Sequence, residues 1–352
     1  MRKEYEEIVR AVQRKAEAVC PDSLELIGVY GSCRTGDVHP RSDLDLLILI
    51  RDEGGRALAD AFILEDLGGV SVGFDLYCTT WEALESDAAC PHAHLGKLMD
   101  AEIRFSGNPG AMERLTALRQ QATSILQSEE RFERARALWE QAKGAYAEAM
   151  LAESLVEARM HAAAALDFGV NGLMLGHGHY FKRGVKRCFE ELAELNLSHD
   201  FRALALAVVS SDTTDGLCGA LTAWMRAVGA EVTAMAVPAE KEAPCKENIA
   251  GTYEEMFSNW RNKMVEACRM EDVFASFMNL ASLEFMLRDV AAGVDVRKPD
   301  ALASFDPKDL WGNAEAFDRA LEAYEAEYAR AGLVPRRFAR TEDFLKVYLK
   351  EV

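Results

Sequence analysis

The sequence predicts an α/β domain, with a mixed sheet and helices on one face, followed by an all-α C-terminal region. Before residue 110, short apolar runs with strand patterns alternate with helical patterns. Beyond that point, long segments are rich in Ala, Leu, Glu, Arg and Met at helical spacing. The 352 residues are 49% hydrophobic and 28% charged, a balance typical of a globular protein with a full core.

The first elements follow from their apolar patterns. Residues 1–19 carry an apolar stripe that includes Tyr5, which predicts an amphipathic helix. The apolar run from Leu24 to Tyr30 predicts a strand that ends at a Gly-Ser pair. The run from Leu44 to Ile50 is nearly continuous in Leu and Ile, so we expect a strand buried on both faces of the sheet.

The next segment is predicted to form a helix and a third strand. Residues 56–67 have helical spacing and end at Gly68-Gly69, which favours a helix there. Residues Val70 to Tyr77 alternate between apolar and polar positions, with one apolar side. The side consists of Val70, Val72, Phe74 and Leu76.

A cluster of turn formers at residues 106–110 predicts a domain boundary. We therefore expect an N-terminal domain at 1–110 and a helical region at 111–352. The helical segments are 111–127, 129–165, 184–195, 215–229, 252–292 and 314–330. The polar, proline-bearing stretch 238–247 reads as a long connection, so the helical region forms one domain or two subdomains, 111–237 and 250–352.

The charge balance excludes some classes of partner. With 40 Lys and Arg against 58 Asp and Glu, the net charge is -18. A long nucleic-acid track needs clustered cations and is therefore disfavoured. An acidic body attracts cationic small molecules or keeps the protein soluble.

The sequence also predicts where the protein works. No apolar run approaches the ~18 residues that span a membrane, and the charged N-terminus leads into no apolar signal core, so we expect a cytoplasmic protein. Eight scattered cysteines without C-x-x-C spacing predict reduced thiols rather than a zinc site.

The residues suited to chemistry lie between the first two strands. The first strand ends at Gly31-Ser32, and the second opens with Asp43 and Asp45, which share one face because strand side chains alternate. Paired carboxylates at the rim of an apolar sheet persist most easily with a cation between them, and oxygen ligands suit Mg²⁺. The backbone at Gly31 can approach a phosphate closely, and the Ser32 hydroxyl can donate to it.

A third carboxylate lies in the predicted third strand. Asp75 points away from the apolar side of that strand, which places it with Asp43 and Asp45 on the open face. Three carboxylates could hold two metal ions, or two could hold metal while Asp75 takes a proton from an attacking hydroxyl. This arrangement suits in-line attack on a phosphorus atom with loss of pyrophosphate.

Three other residues have two interpretations each. Arg34 contacts a phosphate or occupies a loop surface. Ser42 contacts substrate or forms a turn. Lys182 begins a local basic stretch in an acidic chain. The stretch reaches a triphosphate through Lys182 or Arg183, or it is a solvated helix start.

The combined pattern resembles the polymerase-beta-type nucleotidyltransferase superfamily. The resemblance rests on Gly-Ser-x-x-x-Gly from Gly31, Ser-Asp-x-Asp from Ser42 and the later Asp75. It implies that Gly31 and Ser32 form the triphosphate-binding turn, and that Asp43, Asp45 and Asp75 are the catalytic and metal-binding carboxylates. The large helical region resembles the branch that adenylylates aminoglycoside and lincosamide antibiotics.

The resemblance implies an Mg²⁺-dependent enzyme that moves AMP from ATP to a hydroxyl of a small acceptor and releases pyrophosphate. We expect two Mg²⁺ ions, an aminoglycoside-like acceptor, and a monomer or homodimer. The alternative is a non-catalytic nucleotide-binding or regulatory module of the same fold. A nucleic-acid end-adding enzyme would need a basic track that the composition does not offer.

Overall fold

The computed structural model describes residues 3–235, 240–297 and 300–349. The chain forms two compact units, Met1–Val237 and Pro238–Val352. In the described part of the chain, no helix is both long enough and apolar enough to cross a membrane. All eight cysteines are free thiols.

The first unit contains a mixed four-stranded sheet and a separate hairpin. The strands are β1 (Leu24–Val29), β2 (Leu46–Ile50), β3 (Asp60–Leu64), β4 (Val72–Leu76), β5 (Cys78–Thr80) and β6 (Glu102–Ser106). The sheet order is β5-β2-β1-β6, and β3 pairs with β4. Strand β1 is antiparallel to both of its neighbours, whereas β2 and β5 are parallel. The predicted mixed sheet is therefore confirmed.

Both faces of the sheet are covered, because every residue of β1 and β2 is buried. On one face, Ile27 and Ile48 share a core with Tyr5 of α1 (Lys3–Val19) and with Phe74 of the hairpin. The other face packs against α3 (Trp81–Ala88), α4 (Gly96–Met99) and α5 (Pro109–Gln127). Two central strands without a polar face require this double cover.

The rest of the first unit is helical. Helix α2 (Ser32–Thr35) is a single turn after β1, and the later helices are α6 (Glu130–Leu151), α7 (Leu155–Gly176), α8 (Cys188–Ala193), α9 (Phe201–Val209) and α10 (Thr214–Met235). The predicted continuous helix at 129–165 is interrupted between α6 and α7. There the Ser154 hydroxyl accepts a hydrogen bond from the Glu157 N–H and caps α7.

The second unit is all-helical in its described residues apart from an isolated bridge between Glu242 and Val294. Its α-helices are α11 (Lys246–Ile249), α12 (Thr252–Met256), α13 (Asn262–Arg269), α14 (Val273–Gly293), α15 (Leu310–Arg330) and α16 (Thr341–Tyr348). The predicted helix at 252–292 is broken at Glu271, whose φ of 55° is left-handed, and Asp272 caps the next helix. A largely helical C-terminal region is confirmed.

The helix predicted at residues 56–67 is wrong. A 3-10 helix at Glu53–Leu58 is followed by β3, whose Phe62 lies opposite Phe74 in β4. The two rings stack with centroids 5.2 Å apart, so pairing across the hairpin outweighs the local helical spacing.

The predicted domain limits stay a prediction. Residue 110 lies inside the first compact unit, where α5 shares a core with the sheet. The connection predicted at 238–247 begins outside the described residues, and its part at 240–245 has no helix or strand.

Candidate active site

A cleft of about 530 Å³ opens in the first unit, next to the end of β1. Its walls come from three segments that are far apart in sequence, within residues 30–45, 87–97 and 181–186. Gly31, Ser32, Ser42, Asp43, Asp45 and Lys182 are the predicted site residues that line it. The structure therefore brings six of the eight predicted residues into one cleft.

The turn after β1 is shaped around the carboxylate of Asp45. The Tyr30 N–H donates to the Asp45 carbonyl at 3.1 Å, which keeps the two chain segments paired beyond the strands. Gly31 has φ 66° and ψ -147°, and a Cβ there would lie 1.9 Å from Asp45 Oδ2. Only glycine fits this position, because the backbone conformation and the close approach both exclude a side chain.

Asp43 and Asp45 share one face because Leu44 between them is buried, with 2% of its surface exposed. Asp43 is exposed and Asp45 is half-buried. Burial, and then the charge of Asp43, raise the pKa of Asp45, while a hydrogen bond from the Ser32 N–H and the charge of Lys186 act against that rise. A bound cation would relieve this desolvated, like-charged pair.

The Ser32 hydroxyl adds an unsatisfied group at the same place. Its Oγ is buried and has no hydrogen-bond partner among the described residues. Buried hydroxyls in native proteins nearly always have a partner, so an oxygen of a bound ligand is a natural acceptor for this one.

Tyr30 shows how negative this end of the cleft is. Burial, and after it the charges of Asp45, Asp43, Asp87 and Asp75 in that order, together raise the pKa of its phenol to about 12. Asp75 is exposed on β4 and does not line the cleft. Strand β4, which carries Asp75, pairs with β3 and not with β2.

Asp87 is a cleft carboxylate that the sequence analysis missed. It lies buried in α3, with Oδ2 3.3 Å from Lys97 Nζ and Oδ1 3.6 Å from His92 Nε2. Burial lowers the pKa of His92 more than Asp87 raises it. No motif marks Asp87 in the sequence, because its position depends on how α3 packs against the sheet.

Helix α7 holds the loop that carries the cleft histidines. Asn171 Oδ1 accepts a hydrogen bond from the Ala93 N–H at 2.7 Å. The same amide lies 3.4 Å from His94 Nε2, and the Asp167 carboxylate lies 3.6 Å from that nitrogen. Phe181 stacks on the His94 ring with centroids 5.2 Å apart. These contacts join the second and third wall segments.

Basic side chains also line the cleft. Lys182, Arg183, Lys186 and Arg41 all face the cleft. Within the described residues, no carboxylate lies within 4.0 Å of the charged groups of Arg41, Lys182 or Lys186, whereas Arg183 is paired with Asp37 and Glu190. Three cations are therefore available to an anionic ligand.

Two predicted nucleotide-binding residues have structural contacts. Arg34 lies outside the cleft and forms an ion pair with Glu102 of β6. The Ser42 hydroxyl accepts from the His39 N–H at 3.0 Å, and the Ser42 carbonyl accepts from the Tyr5 hydroxyl at 2.5 Å. Ser42 thus shapes the loop that precedes Asp43.

The acidic pair suits a metal ion that also binds substrate. Among the residues described, no group of three or more His, Cys, Asp or Glu side chains is arranged to hold a metal, so Asp43, Asp45 and Asp75 do not form a closed three-ligand site. Mg²⁺ commonly takes one or two carboxylates and completes its shell with water and phosphate oxygens. Asp43 and Asp45, beside the unsatisfied Ser32 hydroxyl, fit that kind of site.

Comparison with known proteins supports the fold and the general chemistry of this region. Residues 6–92 match the family model of the nucleotidyltransferase domain, a segment that includes the Gly31-Ser32 turn and the carboxylates of Asp43, Asp45, Asp75 and Asp87. No curated protein matches the chain. A solved structure of a nucleotidyltransferase-like protein from Exiguobacterium sibiricum 255-15 is 13% identical, covering 96% of this chain and 95% of that one, with a TM-score of 0.33, a value too low to support further inference.

Proposed function

We propose that the protein is an Mg²⁺-dependent nucleotidyltransferase that moves AMP from ATP to a hydroxyl of a small acceptor and releases pyrophosphate. The observation that supports it most is the contact between the Gly31-Ser32 turn and the Asp45 carboxylate. The unsatisfied Ser32 hydroxyl and the acidic pair lie together there within one cleft. The match of residues 6–92 to the nucleotidyltransferase domain supports the general reaction.

The residues divide into those that hold metal and those that hold phosphate. Asp43 and Asp45 would bind Mg²⁺, whose chemistry when bound is to offset charge on the phosphate oxygens. The Ser32 hydroxyl donates to a phosphate oxygen, and Lys182 and Lys186 offset the remaining charge of the triphosphate. These contacts orient the α-phosphate for in-line attack by the acceptor hydroxyl.

The proton of the acceptor hydroxyl needs a base. The Asp75 carboxylate has no hydrogen bond or ion pair among the described residues, and its charge contributes to the raised pKa of Tyr30, which lines the cleft. Asp87 lies in the cleft but is engaged by Lys97 and His92. We therefore propose Asp75 as the base. It lies outside the cleft lining, and the described residues do not group it with Asp43 and Asp45 as a third metal ligand.

The cleft limits the class of acceptor. Outside the proposed metal pair, Asp87 is the one acidic residue among the described cleft-lining side chains, and Lys97 already pairs with it. An aminoglycoside-like acceptor, which the acidic composition favoured, would find no unpaired carboxylate there. We propose a neutral or anionic small molecule with a free hydroxyl, and the lincosamide class remains compatible with this site.

The first experiment measures pyrophosphate release from Mg-ATP with pools of aminoglycosides, lincosamides and neutral or anionic metabolites. We expect release only in the presence of an acceptor pool, and more with neutral or anionic acceptors than with aminoglycosides. Binding of Mg-ATP without release from any pool would favour the non-catalytic alternative. No binding of Mg-ATP would contradict the proposed function.

Replacing Ser32 by Ala should weaken Mg-ATP binding by about ten- to a hundredfold, since a hydrogen bond to a charged group contributes about 1.5–3 kcal/mol. The unfolding temperature of the nucleotide-free protein should not fall, because the lost hydroxyl is buried without a partner. Calorimetric titration and thermal unfolding test the two effects. Unchanged affinity would remove Ser32 from the phosphate site.

A further inference from the structure

The basic segment of the cleft wall is irregular, and side-chain contacts fix its position. Phe181 donates its N–H to the Ala93 carbonyl at 2.8 Å. The carboxylate of Glu191, a buried residue of α8, accepts from the Lys182 N–H at 2.9 Å and from the Arg183 N–H at 2.8 Å. Bonds from two successive peptide groups to one carboxylate are charge-assisted and fix the backbone direction there.

Another contact joins this segment to the loop that follows the Gly31-Ser32 turn. Arg183 Nε lies 2.6 Å from Asp37 Oδ2, and Arg183 Nη2 lies 2.8 Å from Asp37 Oδ1. The Asp37 side chain is 10% exposed. The Arg183 guanidinium holds the pKa of Asp37 at about 2, so the pair stays charged at neutral pH.

Arg183 differs from the lysines on either side of it. Its guanidinium is engaged by Asp37 and, at 3.0 Å, by Glu190. Lys182 and Lys186 have no such partner in the described part of the chain, and the charge of Lys186 acts on Asp45. The three cations of one segment thus divide into one that binds protein and two that are available to a ligand.

We propose that Asp37 and Arg183 form a clasp that positions Lys182 and Lys186 beside the Gly31-Ser32 turn to receive the triphosphate. The clasp rests on the proposed function and adds two positioning residues to it. Arg183 acts through the lysines and does not bind phosphate itself. Asp37, although negative, promotes the binding of an anion.

The direction in which one substitution changes nucleotide affinity distinguishes this clasp from a simple effect of charge. Asp37→Asn removes a negative charge near the site, and on charge alone it should strengthen the binding of a polyanion. The clasp predicts the opposite, an increase of about tenfold in the Kd of Mg-α,β-methylene-ATP, because the lysines lose their fixed position. Isothermal titration calorimetry on the full chain measures this change.

Further variants test that the two residues act together. Arg183→Gln should weaken binding as Asp37→Asn does, and the double variant should be no weaker than either single variant. The salt dependence of the Kd should become shallower in Asp37→Asn, although that variant loses no cation. Arg319→Gln, which breaks an exposed ion pair with Glu315 on α15, is the matched control and should change nothing.

The outcomes separate the clasp from the proposed function. Equal or tighter binding by Asp37→Asn, with normal binding by the unaltered protein, overturns the clasp and leaves the proposed function intact. Additive effects of the two substitutions also overturn it. Failure of the unaltered protein to bind the nucleotide overturns both. A circular dichroism spectrum of each variant shows whether it is folded. If one variant of the pair is unfolded, the other still tests the clasp.

Discussion

Asp45→Asn should lower pyrophosphate release by at least about a hundredfold, because loss of the proposed metal ligand would remove several kcal/mol of charge stabilisation. The same substitution should raise the unfolding temperature of the ligand-free protein. The pKa of Asp45 is raised by burial and by Asp43, so the folded state holds that proton more tightly than the unfolded state does. The ionised form therefore destabilises the fold at neutral pH.

The pH dependence gives this prediction a second readout. Protonated Asp45 contributes to the free energy of unfolding at a pH below the pKa of this residue in the unfolded chain. The contribution is lost as the pH rises through the raised pKa of Asp45 in the folded protein. The unfolding temperatures of the two proteins should thus converge in acid and separate toward neutral pH, by about 2–4 °C for each kcal/mol.

Thermal unfolding from acid to neutral pH without nucleotide, with the pyrophosphate assay, measures both effects. Asp289→Asn replaces an exposed carboxylate of α14 and serves as the control. A variant that stays active, or one that is less stable at neutral pH, would contradict the role of Asp45.

Gly31→Ala should reduce Mg-ATP affinity by at least about tenfold and destabilise the first unit by about 1–2 kcal/mol from backbone strain, with a further loss from the collision. The added methyl group would lie 1.9 Å from Asp45 Oδ2 and would displace the carboxylate from the turn. Calorimetric titration and thermal unfolding measure the two effects.

The chain offers a matched control five residues away. Gly36 also has a positive φ, 80°, but an added Cβ there would have no atom within 4 Å. Gly36→Ala should therefore show strain without loss of affinity. If the two variants bind Mg-ATP equally well, backbone strain explains why position 31 needs glycine, and the contact with Asp45 does not.

Sequence patterns correctly predicted the strands and the helix whose buried face can be recognised within the element itself. The apolar runs of β1 and β2, the alternation in β4 and the stripe of α1 match the structure, because each pattern records which face is buried. The Gly31-Ser32 turn and the Asp43-Asp45 pair were identified for a similar reason. The glycine conformation of the turn and the alternation that places both carboxylates on one face each depend on a few consecutive residues.

Features that depend on distant parts of the chain were missed. Strand β3 has helical spacing, and its pairing with β4 is decided by ring stacking across the hairpin. Asp87 lines the cleft because α3 packs on the sheet. The Arg183 guanidinium is bound by Asp37, 146 residues earlier, and is therefore not available to a ligand. The composition indicated an acidic protein, whereas the wall segment 181–186 of the cleft carries Lys182, Arg183 and Lys186.

The cleft is assembled from residues between Tyr30 and Lys186, so the proposed nucleotide binding would be linked to folding. No short fragment contains all three walls, so the loops that separate them must close before a nucleotide can bind. Partly folded chains should not compete for nucleotide, and ligand should bind the native state selectively. At a free concentration of a hundred times its Kd, a nucleotide would stabilise the native state by about 2.7 kcal/mol. The supply of nucleotide would then help to set how much of this protein remains folded.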